Sequence, residues 1–66
     1  MKLRVNGEDR EITNIATVAE LVDALGLPAP AMLVEHNGLA LRREDWRDRA
    51  LSDGDRIEII RIVAGG

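Results

Sequence analysis

The sequence predicts an α+β domain in which a mixed sheet of about five strands packs against one main helix. Three observations carry this expectation. Two runs of alternating apolar and polar residues each close on an Asn-Gly pair, one helical stripe follows a complete capping signal, and the last apolar run is isoleucine-rich on both of its faces.

In chain order, Leu3 and Val5 alternate with Lys2 and Arg4, the period of a strand with one buried face. Asn6-Gly7 then suits the positive φ of a tight hairpin. The return strand, 9–13, has Ile12 as its apolar anchor and is therefore expected at a sheet edge. Thr17-Val18-Ala19-Glu20 reads as a capping box, the threonine hydroxyl accepting from the amide three residues on while the glutamate reaches back. Val18, Leu21, Val22 and Leu25 recur at helical spacing and place one apolar stripe on one face. Gly26 supplies the left-handed residue that ends the helix, and Pro28 and Pro30 block its continuation.

Residues 32–36 read as a third strand, with Met32 and Val34 on one face and Leu33 and Glu35 on the other. Asn37-Gly38 marks a second turn, and Leu39 and Leu41 form a short fourth strand. The stretch 43–48 carries acids early and Trp46 on one side, which suits a single helical turn laying its indole over the core rim. After the turn residues Ser52-Asp53-Gly54-Asp55, 56–63 is the final strand. Ile57, Ile59 and Val63 lie on one face with Arg61 among them, and Ile60 and Ile62 lie on the other with Glu58. A strand apolar on both faces belongs in the middle of a sheet.

Composition narrows the function classes. A chain of 66 residues has room for one domain, residues 1–66, and cysteine is absent, so neither disulfides nor thiol catalysis can contribute. One Trp and no Phe or Tyr leave an aliphatic core. A net charge of −3, with basic residues interspersed among acids and no aromatic platform, argues against nucleic-acid binding. The start lacks the pattern of a signal peptide and no apolar run approaches membrane-spanning length, so a cytoplasmic protein is expected. His36 has no neighbouring ligand pattern and reads as structural or exposed rather than as a metal ligand. Asp53 and Asp55 flank a turn glycine without the further oxygen ligands of a calcium loop.

The chemistry is expected at the end of the chain, where the last strand runs into Ala64-Gly65-Gly66. A carboxylate that is to be activated inside another protein must arrive on a thin extended segment without side chains, and glycine provides that. Three residues reach about 10 Å at full extension, enough to thread a narrow channel while the body stays outside. The Gly66 carboxylate would itself be the reacting group, which accounts for the lack of a catalytic constellation and points to a protein co-substrate rather than an enzyme.

The segment from Asp53-Gly54-Asp55 through Ile57-Glu58-Ile59-Ile60-Arg61-Ile62-Val63 to Ala64-Gly65-Gly66 resembles the ending of the ubiquitin-like sulfur-carrier proteins of thiamine biosynthesis. Arg43-Glu44-Asp45-Trp46 is similar to their Arg-x-x-Trp element, and the chain length and the Thr17-Val18-x-Glu20-Leu21 helix start agree. The resemblance implies a β-grasp roll, with the helix on one face of the sheet and the last strand beside the first. It also implies an ATP-dependent cycle. An activating enzyme similar to ubiquitin-activating enzymes adenylates Gly66, sulfur from a cysteine-derived persulfide displaces AMP, and the resulting thiocarboxylate gives its sulfur to thiazole synthase. No cofactor is implied.

Partner docking is expected on the sheet face that one helix cannot cover, at Ile60 and Ile62 with Leu33. Arg61 lies on the other face near the tail, either meeting acidic partner residues or solvated at the rim. Two other readings stay open. The small subunit of molybdopterin synthase uses the same thiocarboxylate chemistry, although an aromatic-proline stretch before its tail is replaced here by Ile60-Arg61-Ile62-Val63. A ubiquitin-like modifier or non-covalent interaction module would use the Ile60/Ile62 face without sulfur.

Overall fold

Two hairpins build the outer parts of the sheet. Asn6 and Gly7 have φ of 50° and 81°, and Asn37 and Gly38 have φ of 50° and 85°. This is the doubly left-handed turn whose twist matches that of the flanking strands. In the computed structural model, which describes residues 1–62, the first turn joins β1 (Lys2–Val5) to β2 (Glu8–Glu11) and the second joins β3 (Met32–His36) to β4 (Leu39–Leu41). Both pairs are antiparallel. The fifth strand, β5 (Arg56–Arg61), lies between the hairpins, parallel to β1 and antiparallel to β3. The order is β2-β1-β5-β3-β4, so the strand apolar on both faces is central and β2 is an edge.

Within the described residues one α-helix, α1 (Val18–Ala24), crosses the sheet. Its capping box is complete: Thr17 Oγ1 accepts from the Glu20 amide at 3.3 Å, and Glu20 Oε1 accepts from the Thr17 amide at 3.1 Å. At the other end Gly26 adopts φ 70°. Its amide bonds to the Asp23 carbonyl and that of Leu27 to the Val22 carbonyl, which satisfies carbonyls the helix would otherwise strand. Pro28 then precedes a 3-10 turn, Ala29–Ala31, that leads into β3.

Val18, Leu21 and Val22 of α1 meet Leu3, Val5, Val34, Ile57 and Ile59 in one aliphatic core. Trp46 closes it from the 3-10 turn Arg43–Asp48, almost fully buried. The two segments are tied by the backbone as well: the Val18 amide bonds to the Arg49 carbonyl and the Leu51 amide to the Ala16 carbonyl.

Two boundaries differ from the sequence expectation. The return strand begins at Glu8 and ends at Glu11, because a two-residue turn pairs Val5 directly with Glu8. Ile12 therefore lies just beyond the strand, half-buried against the core, with its amide bonded to the Met1 carbonyl at 2.7 Å. The last strand ends at Arg61 rather than 63, although the Ile62 amide still bonds to the Ala31 carbonyl at 2.7 Å. Val63, Ala64, Gly65 and Gly66 lie outside the described residues.

Candidate functional site

Pleating divides β5 into two surfaces. Ile57 and Ile59 point at α1 and are buried, whereas Ile60 is 51% exposed and Ile62 47%. Leu33, in register with Ile60 on β3, is 51% exposed. Three of the residues expected to face a partner thus gather on the sheet surface turned away from the helix. Arg61 does not join them: it pairs in register with Met32, on the helix side, and is exposed at the rim beside Leu27 and Pro28.

The central strand is held firmly where it leads to this surface. The Asn6 amide makes the last backbone bond from this side, to the Ile57 carbonyl at 2.9 Å, and the Asn6 side chain then takes over. Its Oδ1 accepts from the Ile59 amide at 2.7 Å and its Nδ2 donates to the Ile59 carbonyl at 3.2 Å. A turn residue thereby extends the hydrogen bonding of β5 past the end of β1, and Ile62 is secured by Ala31 on the opposite side.

One neighbour of the apolar surface is not visible from local sequence pattern. An open groove runs from Leu33 and Ile62, past Pro30, to Arg42, Arg43 and Arg47 of the 3-10 segment. Arg42 is engaged by Glu44 at 3.2 Å and Asp45 at 3.3 Å. Arg43 and Arg47 have no ion-pair partner among the described residues. Trp46, locked in the core between them in sequence, orients this turn.

His36 has a structural role at the far end of β3. It is 5% exposed, pairs in register with Ile57, and accepts at Nδ1 from Arg49 Nε at 2.8 Å. That bond assigns the proton to Nε2, which donates to Asp55 Oδ2 at 2.6 Å. Asp55 also accepts from the Ser52 amide at 2.8 Å and from Asn37 Nδ2 at 3.0 Å. Burial works to raise the Asp55 carboxyl, but the hydrogen bonds from His36, Asn37 and Ser52 outweigh it and hold its pKa below the ordinary aspartate value. Asp53 likewise acts on the backbone, accepting from the Lys2 amide at 2.7 Å.

Among the described residues no helix is long and apolar enough to cross a membrane.

The ThiS family model matches residues 3–66, nearly the whole chain. Over all 66 residues the chain is 35% identical to a thiazole synthase from Paramagnetospirillum magneticum, of which it spans 20% of the length. An uncharacterized protein, ycf40, from Trieres chinensis is 27% identical over 94% of this chain and 85% of its own. The crystal structure of the thiamine biosynthesis protein ThiS from Geobacter metallireducens superposes with a TM-score of 0.85 at 35% identity, covering 100% of both chains. The solution structure of a thiamine biosynthesis protein from the same organism gives 0.80, covering 100% of this chain and 88% of that one. Superposition and sequence agree, and the chain belongs to the ThiS family, the sulfur-carrier proteins of thiamine biosynthesis.

Proposed function

We propose that this protein carries sulfur for thiazole formation on the carboxyl carbon of Gly66, the body serving as a handle and 64–66 as the tail that enters partner sites. An adenylating enzyme joins the Gly66 carboxylate to the α-phosphate of ATP and releases pyrophosphate, which turns a poor acyl donor into a good one. The terminal sulfur of a cysteine-derived persulfide attacks the acyl carbon and AMP departs. A thiol then supplies the two electrons that cleave the sulfur–sulfur bond, leaving the thiocarboxylate. Thiazole synthase accepts that sulfur. On this reading the protein acts in the cytoplasm, where ATP and persulfide sulfur are both supplied.

The observation that carries this reading is a family match that runs through Gly65 and Gly66, which follow the central strand in the sequence. The thiazole synthase that contains a segment similar to this chain supports that enzyme as the receiving partner. Joining two partners covalently raises their effective concentration, which is useful when they meet in every cycle.

The test is the intact mass of the protein after incubation with ATP, the adenylating enzyme and a persulfide donor. One oxygen replaced by sulfur, localised to Gly66 by fragmentation, is the expected result. A variant lacking Gly66, or extended beyond it, should fold with an unchanged melting temperature and take up no sulfur. Sulfur uptake by either variant would refute the tail mechanism.

A further inference from the structure

We infer that the groove between the exposed apolar sheet face and the arginines of the 43–48 turn seats an acidic–aliphatic segment of the adenylating enzyme, with Arg43 and Arg47 selecting it by charge. This inference rests on the sulfur-carrier reading and names the surface that reading requires.

Reach sets the location. Ile62 is still hydrogen-bonded to Ala31, so the tail that must enter the partner begins there. Four residues, 63–66, extend by about 14 Å at most. A protein that holds Gly66 in its nucleotide site must therefore press against the body close to Ile62, and the groove is lined by Ile62 itself. Its apolar side is ready to be covered: Leu33 and Ile62 are each about half exposed.

Charge sets the occupant. The chain as a whole is acidic, at −3. The groove holds three arginines and one acid, Glu44: Arg42 is paired with Glu44 and Asp45, while Arg43 and Arg47 present their charges without an ion-pair partner among the described residues. Farther along the same sheet face Glu35 and Glu58 stand opposite each other in register, an arrangement that repels a second acid. The outward face thus alternates in charge along its length: cationic beside the tail at Arg43 and Arg47, anionic at Glu35 and Glu58, and cationic again at Arg56, which stands in register with Arg4. A partner segment with aliphatic side chains over Leu33 and Ile62 and carboxylates toward Arg43 and Arg47 is matched at the groove and opposed where Glu35 and Glu58 follow it on the sheet. Activation is the step at which such selection matters, because ATP is consumed there and an undiscriminating enzyme would adenylate other carboxylates.

The experiment compares two double charge reversals by stopped-flow association with the adenylating enzyme, reading thiocarboxylate formation by mass in parallel. Arg43→Glu with Arg47→Glu alters the groove; Arg4→Glu with Arg10→Glu makes the same change in net charge on the β1–β2 side of the sheet. The groove variant should associate at least tenfold more slowly at low salt, and most of that loss should vanish near 1 M salt, where screening acts over about 3 Å. The control should fall far less. Unchanged melting temperatures establish that both variants fold, and Arg43→Gln with Arg47→Gln should give an intermediate rate. Equal rates for the two reversals, or a loss confined to thiazole synthase binding, would overturn the groove assignment while wild-type sulfur uptake kept the carrier function standing. Absence of uptake by the wild type would remove both.

Discussion

Four isoleucines lie along one short stretch of chain, and they separate by face alone. Ile57 and Ile59 are 0% and 8% exposed, against 51% and 47% for Ile60 and Ile62. Residue type is shared, and Ile62 follows β5 by a single residue, so hydrophobicity cannot be the difference. What differs is the covering layer. A single helix of seven residues shields one side of the sheet, and among the described residues the other side keeps Leu33, Ile60 and Ile62 about half exposed. The inward pair specifies the fold, whereas the outward pair offers apolar area whose burial is available to a second protein.

The largest expected effect comes from breaking the inward side. A domain of 66 residues has a total stability of roughly 3–10 kcal/mol at typical per-residue values. Ile57→Ala empties a fully enclosed site and should cost about 2–5 kcal/mol. Urea unfolding followed by far-UV circular dichroism should show the midpoint falling steeply, with part of the population unfolded at 37 °C. A loss below about 0.5 kcal/mol, the size of an ordinary surface change, would contradict the core assignment.

The next effect sharpens the comparison by testing the polar member of the inward face. Asp55→Ala leaves the His36 Nε2 donor and the Ser52 amide without their acceptor and should cost about 1–3 kcal/mol. It should also flatten the acid limb of the stability curve. The folded-state pKa of Asp55 lies below its unfolded value. Its contribution is therefore fully present above the unfolded pKa and is lost as pH falls through the folded one. Wild-type melting temperature should drop on acidification through that window, and the variant should show a shallower drop. Parallel curves would mean that Asp55 binds protons alike in both states.

How far this division can be read from sequence depends on the range of the interactions involved. The period-two alternation in 56–61 separates the isoleucines by face, and the asymmetry between Thr17 with Glu20 at one end and Gly26 at the other brackets the helix, because those signals act within a few residues. The expected edge position of β2 follows from its near lack of apolar residues. Contacts between distant segments leave no such local trace. The Asn6 bonds to Ile59, the His36–Asp55 pair and the meeting of Arg43 and Arg47 with Ile62 arise only once topology sets β1 and β3 on either side of β5. Strand ends differ from the sequence expectation for a related reason: they are decided by where a partner strand stops, not by the residue at the boundary. Gly65 and Gly66 stand out by composition and by family resemblance, and they lie outside the described residues.

The smallest effect on stability should accompany a clear effect on binding, at Ile60. Half exposed and opposite Leu33, this side chain contributes little to the core, so Ile60→Glu should change unfolding free energy by no more than about 1 kcal/mol, the span of strand propensity. On docking, the carboxylate would be desolvated beside Leu33 without a partner, and affinity for the adenylating enzyme should fall more than tenfold, about 1.4 kcal/mol. Ile60→Thr separates the two causes, since it keeps the branched β-carbon that suits a strand but removes apolar area without adding charge. Its affinity should lie between wild type and Ile60→Glu, measured by isothermal titration, with a melting temperature close to wild type. If Ile60→Thr instead unfolds the protein as readily as Ile57→Ala, the outward face is part of the core. If both variants bind like wild type, the partner uses another surface.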